Sequence, residues 1–106
     1  MIRGGIYPID LGDAKRGHEQ RGRRFGLVIS IQRDHWSVVT VIPTSTSAQS
    51  AEFRPVIEFN GQPTRLLVDQ IRTIDTTYVL GDLVHYLPRD DMEQVTDTVA
   101  LYLGLD

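Results

Sequence analysis

The chain contains no cysteine, a single lysine and no long apolar run. Without cysteine it can form neither disulfides nor thiolate metal sites. No stretch of about 18 apolar residues is present, and the N-terminus lacks the apolar segment of a signal peptide. We therefore expect no contact with membranes and a cytoplasmic location. The three histidines, His18, His35 and His85, match no metal-ligand spacing, so we expect neither a metal nor another cofactor.

The length and composition predict one folded unit. A chain of 106 residues is too short for two independent cores, so we expect a single domain over residues 1–106. Hydrophobic residues make up 41% and charged residues 24%, which is typical of globular proteins and excludes a disordered chain.

Charge is distributed unevenly along the chain. The net charge is −3, but residues 1–36 hold seven basic and four acidic side chains, while residues 37–106 hold four basic and ten acidic ones. A site for a polyanion must therefore be local rather than spread over the surface. All basic residues except one are arginine, whose planar guanidinium suits phosphate and carboxylate oxygens.

The spacing of apolar residues predicts a β-rich domain closed by one helix. Strands are predicted over residues 5–11, 25–31, 36–42, 53–59, 66–74 and 80–87. Pro8 places the first of them at a sheet edge or makes it irregular. Asn60-Gly61 is a turn signal ahead of the strand predicted over 66–74. A helix is predicted over 90–103, because Met92, Val95, Val99 and Leu103 recur every three or four residues. Asp90 and Glu93 resemble a capping box, and Gly104 lies where a C-cap glycine belongs. Such a helix needs a sheet to cover, which predicts a small barrel-like sheet.

Two long loops are candidates for function. The loop 12–24 is rich in charge, and the loop 43–52 is rich in hydroxyls. In the first, Arg16, His18, Glu19, Arg21, Arg23 and Arg24 lie within nine residues. Such a cluster serves phosphate binding or acid–base catalysis, or it is a solvated charged loop. In the second, Thr44, Ser45, Thr46 and Ser47 follow a strand predicted to end near Pro43. Their hydroxyls bind phosphate or simply form a turn.

Asp69 and Gln70 interrupt an otherwise apolar segment. A carboxylate in such a place either pairs with a basic residue or belongs to a site. The residues alone leave both possibilities open.

Several segments in the same order resemble the MazF/PemK/Kid family of toxin ribonucleases, and together they span nearly the whole chain. They are RGGIY with DL (3–7, 10–11), RGHEQ with GRR (16–20, 22–24), LVIS (27–30), IPTST (42–46), LVDQIRTID (67–75), GDL (81–83) and LGL (103–105).

The resemblance implies a fold, partners and an activity. The fold is mainly β with α, an SH3-like small β-barrel of the CcdB/Kid/MazF type with a C-terminal helix. The family implies a homodimer, a MazE-like antitoxin with an extended acidic tail, and sequence-specific cleavage of single-stranded RNA without metal. In that reaction the ribose 2′-OH attacks the adjacent phosphorus, giving 2′,3′-cyclic phosphate and 5′-OH ends, which inhibits translation and growth.

The resemblance also assigns roles to residues. Arg24 stabilises the phosphorane charge, Ser45 takes the place of the family's usual threonine, and Glu19 is the first choice of general base, with His18 able to share proton transfer. Predicted substrate contacts are Arg23, Thr44, Thr46, Arg65, Asp69 and Gln70.

Two positions depart from the family pattern. Phe25 stands where the family commonly has proline, and Leu67 occupies a position where some members have a catalytic arginine. Arg65 lies two residues earlier, on the same face if the strand is regular, and is a possible substitute.

Two other functions compete with RNA cleavage. CcdB-like toxins resemble this fold and act by binding a protein such as DNA gyrase. An inactivated relative retained for antitoxin binding is a third possibility. Arg24 together with Ser45 distinguishes a ribonuclease from both.

Overall fold

The computed structural model describes residues 1–13, 17 and 21–105, which form a bent antiparallel sheet and one helix. The strands are β1 (Gly5–Asp10), β2 (Arg23–Val28), β3 (Val38–Ser45), β4 (Val56–Phe59), β5 (Gln62–Leu66), β6 (Arg72–Asp75) and β7 (His85–Tyr86). Short 3-10 helices cover Val68–Gln70 and Thr76–Tyr78, and α1 runs from Arg89 to Leu103.

The sheet has the order β4-β5-β3-β2-β1-β7, and β6 pairs with β3. The long strand β3 changes partner along one edge. Its first half pairs with β6 from Val38 to Val41, and its last two residues, Thr44 and Ser45, pair with β5. This change of partner bends the sheet into a nearly closed barrel, so the expectation of a mainly β fold with a C-terminal helix is confirmed.

Strand β1 lies inside the sheet, so its predicted edge position is wrong. It pairs with β2 over its length and with β7 at Gly5 and Ile6. The proline is tolerated because Pro8 directs its carbonyl away from β2, to the backbone N–H of Leu80. The N–H and C=O of a strand residue point to the same side, so the N–H that proline lacks would also face Leu80 rather than β2. Its absence therefore removes no β1–β2 hydrogen bond.

Strand β3 continues to Ser45, three residues beyond its predicted end. Pro43 lies in the gap between the residues that pair with β6 and those that pair with β5. Its carbonyl accepts from the Leu67 N–H, so its lack of a donor disturbs no ladder. Thr44 and Ser45 are therefore buried strand residues rather than loop residues.

The predicted strand 66–74 is wrong. It is divided into the end of β5, the 3-10 helix Val68–Gln70 and β6. Leu66, Leu67 and Val68 are all fully buried, but Leu67 leaves the extended conformation at ψ 75°. The N–H groups of Gln70 and Ile71 then donate to the carbonyls of Leu67 and Val68, so the chain turns instead of continuing the strand. The predicted strand 80–87 is reduced to the two residues of β7, and 53–59 to β4.

The core has two parts because the central strands are covered on both faces. One cluster, which includes Ile6, Leu27 and Ile42, packs beneath α1 through Val95. The other, which includes Ile9 and Val41, fills the opposite face. Burial on both faces explains why β1 to β3 read as nearly continuous apolar runs.

The helix is confirmed, with two differences at its ends. Gly104 closes it in the left-handed conformation at φ 71°. The predicted capping box is wrong. The N-cap residue is Pro88, which makes no side-chain capping hydrogen bond, and the Glu93 carboxylate accepts from the Arg89 Nε instead. Leu103, predicted on the buried face, is 49% exposed. No helix within residues 1–13, 17 and 21–105 is long and apolar enough to cross a membrane.

Candidate active site

The pairing of β2 with β3 brings Arg24 next to Ser45. The register pairs Val28 with Val41, Leu27 with Ile42 and Gly26 with Pro43. The last pair of this ladder is Gly26 with Pro43, so Arg24 and Ser45 lie two residues beyond it, at the same end of the two strands. Two residues from separate loop predictions thus become neighbours at the same end of one strand pair.

Both residues line a groove of about 290 Å³. We call it the hydroxyl groove; its lining is Arg23, Arg24, Phe25, Thr44, Ser45, Thr46, Ser47, Phe59, Asn60, Gln62 and Thr64. One side, from β2 and β3, supplies two guanidinium groups and a row of hydroxyls. The other, from the β4–β5 hairpin, supplies an aromatic ring, two amides and a hydroxyl. The groove therefore combines an anion-binding side with a neutral polar side.

Arg24 is half-buried at the start of β2, and its Nε donates to the Arg21 carbonyl at 3.1 Å. Within the described part of the chain, its two terminal nitrogens have no protein acceptor. A planar guanidinium oriented through one nitrogen keeps its remaining donors for an oxyanion such as a phosphate.

Ser45 is 8% exposed and its hydroxyl is oriented by the following turn. Its Oγ accepts from the backbone N–H groups of Ser47 at 3.2 Å and Ala48 at 2.9 Å. A hydroxyl oxygen has two lone pairs and one hydrogen, so these contacts leave the hydrogen for a ligand. Ser45 is thus suited to donate to a phosphate oxygen rather than to accept a proton as a base.

Thr44 and Thr46 have different roles in the groove wall. The Thr44 Oγ1 donates to the Phe25 carbonyl at 3.0 Å and so joins β3 to β2 beside Arg24. Thr44 is 6% exposed, and its hydroxyl hydrogen is already used. Thr46 is exposed, so it can reach a ligand without losing a structural contact.

Arg65 is opposite Ser45 in the β3–β5 ladder but does not line the groove. Its Nη1 points to the carbonyl of Arg54, at 3.5 Å. The regular alternation expected between Arg65 and Leu67 is also absent, because β5 ends at Leu66.

Asp69 and Gln70 lie on the 3-10 helix after β5, outside the groove lining. Both Asp69 oxygens accept from Arg54, at 3.0 Å from Nε and 2.9 Å from Nη2. This two-point contact lowers the pKa of Asp69 through the hydrogen bonds from Arg54, against an opposing effect of burial. Of the two possibilities left open for Asp69, the structure has the pairing with a basic residue.

The two predicted acid–base residues, His18 and Glu19, lie outside the described residues. Their roles stay predictions from the family resemblance.

The hairpin side of the groove is not among the sites predicted from the sequence. Phe59, Asn60, Gln62 and Thr64 were not candidates, although the Asn60-Gly61 pair was recognised as a turn. The sequence does carry a signal for the hairpin, because a two-residue turn at Asn60-Gly61 places Phe59 opposite Gln62. What the sequence does not show is that this hairpin packs beside the ends of β2 and β3.

A larger cavity of about 500 Å³ lies between Arg3, Tyr86 and the first turns of α1. Its charges are mixed, since Arg3 and Arg89 face Glu93 and Asp97, and Arg3 is held by the Ile29 carbonyl and Thr96. The described residues contain no group of three or more His, Asp or Glu side chains placed to hold a metal. The lining of the hydroxyl groove contains Arg23 and Arg24 and no acidic residue, so this groove is the better candidate for phosphate chemistry.

The fold is that of MazF toxins. MazF from Deinococcus radiodurans superposes with a TM-score of 0.84 over 98% of this chain and 96% of its own, at 22% identity. A mycobacterial endoribonuclease in complex with its cognate antitoxin gives 0.80 over 100% and 97%, at 21% identity. The Mycobacterium tuberculosis toxin MazF-mt6 gives 0.75 over 96% and 98%, at 21% identity. The predicted barrel class is thereby confirmed.

Sequence comparison defines the family. Residues 2–103 match the family of PemK-like, MazF-like toxins of type II toxin–antitoxin systems. A candidate toxin of Mycobacterium tuberculosis (strain ATCC 25618 / H37Rv), Rv3098A, is 64% identical over 105 residues, 99% of each chain. The chain belongs to this family and is a toxin of the MazF/PemK type.

Proposed function

We propose that this toxin is an endoribonuclease that cleaves single-stranded RNA at a short sequence, without a metal, through attack of the ribose 2′-OH. The observation that carries the proposal is the meeting of Arg24 and Ser45 in the hydroxyl groove. The groove offers fixed positive charge and an oriented hydroxyl donor, which phosphoryl transfer requires. Two solved structures of the same fold bear the names endoribonuclease and toxin MazF-mt6, which supports the same activity here.

The reaction needs little from the protein because RNA carries its own nucleophile. The 2′-oxygen forms a bond to phosphorus as its proton leaves to a base, and the bond from phosphorus to the 5′-oxygen breaks as that oxygen gains a proton. The products are a 2′,3′-cyclic phosphate and a 5′-OH. In this scheme Arg24 and Ser45 donate to the non-bridging oxygens, where negative charge grows in the transition state.

The base and the acid are assigned only through the family resemblance. Glu19 is the proposed base and His18 the partner for proton transfer, with Arg24 able to supply the proton to the leaving oxygen. A carboxylate with the ordinary glutamate pKa of about 4.3 is a weak base for this step. A site that raises the pKa of this carboxyl group would therefore favour the reaction.

An antitoxin is the proposed partner. An endoribonuclease of the same fold from a mycobacterial species is known in complex with its cognate antitoxin, and MazE–MazF complexes share the fold as well. An extended acidic tail that covers Arg23 and Arg24 would exclude RNA from the groove by competing for the same cations.

The test is cleavage of a long mixed-sequence RNA in EDTA, with the fragment ends mapped and their termini analysed. We expect cuts at a recurring motif, with cyclic phosphate and 5′-OH ends. Arg24→Ala should lower the rate by at least about 100-fold, as for loss of an oxyanion donor. Arg33→Ala is the matched control, because Arg33 is exposed on the turn at the far end of the β2–β3 pair and contacts Trp36.

Ser45 is tested by a pair of variants. Ser45→Ala removes the donor and should lower the rate less than Arg24→Ala does, whereas Ser45→Thr keeps the hydroxyl and should retain most activity. Equal rates for Ser45→Ala and the unmodified protein would reduce Ser45 to a turn residue. Intact RNA with folded, antitoxin-free protein would instead favour a CcdB-like protein binder or an inactivated toxin.

A further inference from the structure

The β4–β5 side of the hydroxyl groove has the chemistry of a base-binding surface. It carries the amides of Asn60 and Gln62, the hydroxyl of Thr64 and the ring of Phe59. None of these groups is charged, while Arg23 and Arg24 lie on the β2 side. A phosphate at the arginines would therefore place the rest of its nucleotide against neutral donors, acceptors and aromatic carbon.

The two amides are held on a rigid turn. Asn60 and Gly61 have φ values of 53° and 75°, the left-handed pair of a type I′ hairpin turn, and Phe59 pairs with Gln62 across it. Both amide side chains are exposed. Since the backbone of this turn is already ordered, binding of a ligand there would require the ordering of two side chains but of no backbone segment.

An aromatic ring lines the groove between the arginines and the amides. Phe25 is half-buried and packs edge-to-face on Phe59, with ring centroids 5.2 Å apart and an interplanar angle of 74°. This contact fixes the orientation of Phe25. The residue follows Arg24 directly, and an aromatic ring beside a phosphate site can stack on a base.

We propose that Phe25, Asn60 and Gln62 form a nucleobase subsite that selects the RNA base next to the cleaved phosphate. Phe25 packs on the base, and the two amides bond its Watson–Crick edge. An amide carries both donors and an acceptor, and unpaired bases in single-stranded RNA expose this edge. The groove, at about 290 Å³, is near the lower limit of small-molecule sites at ~300 Å³, which suits one nucleotide. This inference rests on the proposed ribonuclease function and adds a residue-level account of its specificity.

The first test measures binding without cleavage. The four nucleoside 3′-monophosphates and inorganic phosphate are titrated into the full chain, and the side-chain NH₂ signals of Asn60 and Gln62 are followed by NMR. We expect one nucleotide to shift both amide signals at lower concentration than the other three. Inorganic phosphate should leave these two signals in place. Phe25→Leu, which keeps an apolar side chain against Phe59, should weaken binding of the preferred nucleotide about tenfold without changing the affinity for inorganic phosphate.

The second test measures selection during cleavage. Fragment ends from a random-sequence RNA are mapped for Asn60→Ala, Gln62→Ala and the control Glu58→Ala. Glu58 is exposed on the same hairpin and does not line the groove. We expect the first two variants to lose discrimination, about tenfold or more, at one position of the motif, and the control to keep the original motif.

The outcomes separate the subsite from the ribonuclease proposal. If the nucleotides shift only the signals that inorganic phosphate shifts, or if the motif is unchanged in both amide variants, the subsite is refuted while RNA cleavage stands. If the amide signals respond to one base but the unmodified protein cleaves no RNA in EDTA, the base subsite holds and the ribonuclease proposal fails.

Discussion

Arginine has three distinct roles in this chain, set by what surrounds each guanidinium. Arg24 makes one backbone contact through Nε and lines the groove. Arg54 is joined to Asp69 by two hydrogen bonds, with side-chain exposures of 18% and 27%. Arg89 pairs with Glu93 where both side chains are largely exposed. Partial burial strengthens the Arg54–Asp69 pair relative to the exposed one, so Arg54 stabilises the fold, whereas Arg24 is the arginine that we propose binds phosphate.

Replacing Asp69 should reduce stability in a pH-dependent way. Asp69→Asn removes the charge that Arg54 pairs with, and we expect a loss of about 1–2 kcal/mol at neutral pH. Because the Arg54 hydrogen bonds lower the pKa of Asp69 below its ordinary 3.8, the pair contributes fully above that value. Its contribution disappears as the pH falls through the lowered pKa of the folded state.

The measurement is urea unfolding of both proteins from neutral pH down to about pH 3. The difference between them should shrink across the acidic end of this range. Glu93→Gln, in the exposed pair, is the control and should change little. A variant as stable as the unmodified protein at neutral pH would show that Asp69 does not stabilise the fold.

At the scale of elements, α1 is attached to the sheet through one side. Val95 is fully buried in the cluster beneath the helix, and Met92 and Val99 pack beside it. The last turn is different, since Leu101 and Leu103 are about half exposed. The same apolar period therefore anchors the middle of the helix but not its end.

Replacing the buried Val95 should reduce stability more than replacing an exposed residue of the same helix. Val95→Ala leaves a cavity in the core and should lower the free energy of unfolding by about 1–3 kcal/mol. Gln94→Ala, one position earlier and exposed, should change it by less than about 0.5 kcal/mol. Equal stabilities of the two variants in urea unfolding would contradict the placement of Val95 in the core.

At the scale of the whole molecule, the net charge of −3 opposes RNA binding, so affinity must come from local cations. Arg23→Ala removes one exposed cation from the groove. The slope of log K against log salt concentration should then become shallower by about 0.7, the value for one phosphate contact in a single strand. The probe is a 2′-O-methyl RNA that cannot be cleaved, and the slope for Arg89→Ala should not change. An unaltered slope in Arg23→Ala would remove that residue from the phosphate site.

The proposed active form is a homodimer. Several large apolar side chains are exposed on the described surface, among them Tyr86 at 58% and Leu105 at 71%, and an interface between two copies would remove apolar area of this kind from water. Sedimentation equilibrium should give twice the chain mass of 12.0 kDa. A species of one chain at the concentrations that cleave RNA would contradict this expectation.

The elements with strong local signals were predictable from sequence. The helix followed from the spacing of Met92, Val95 and Val99, and its end from Gly104. The strands β2 and β3 followed from runs of β-branched residues. The errors occurred where tertiary contacts override local pattern. Pro8 and Pro43 fit inside strands because their neighbours require no donor there, and the chain leaves the extended conformation at Leu67 and forms a 3-10 helix.

The amino-acid sequence by itself determined the helix, most strands, the turn at Asn60-Gly61 and the residue types that phosphate chemistry needs. Only the tertiary structure decided which of them meet. Arg24 and Ser45 line one groove because β2 and β3 pair in one register, and a shift of one residue would turn one of them to the other face of the sheet. Arg54 captures Asp69, and the β4–β5 hairpin completes the groove. These outcomes depend on long-range packing, whereas propensity and periodicity report only on neighbours along the chain.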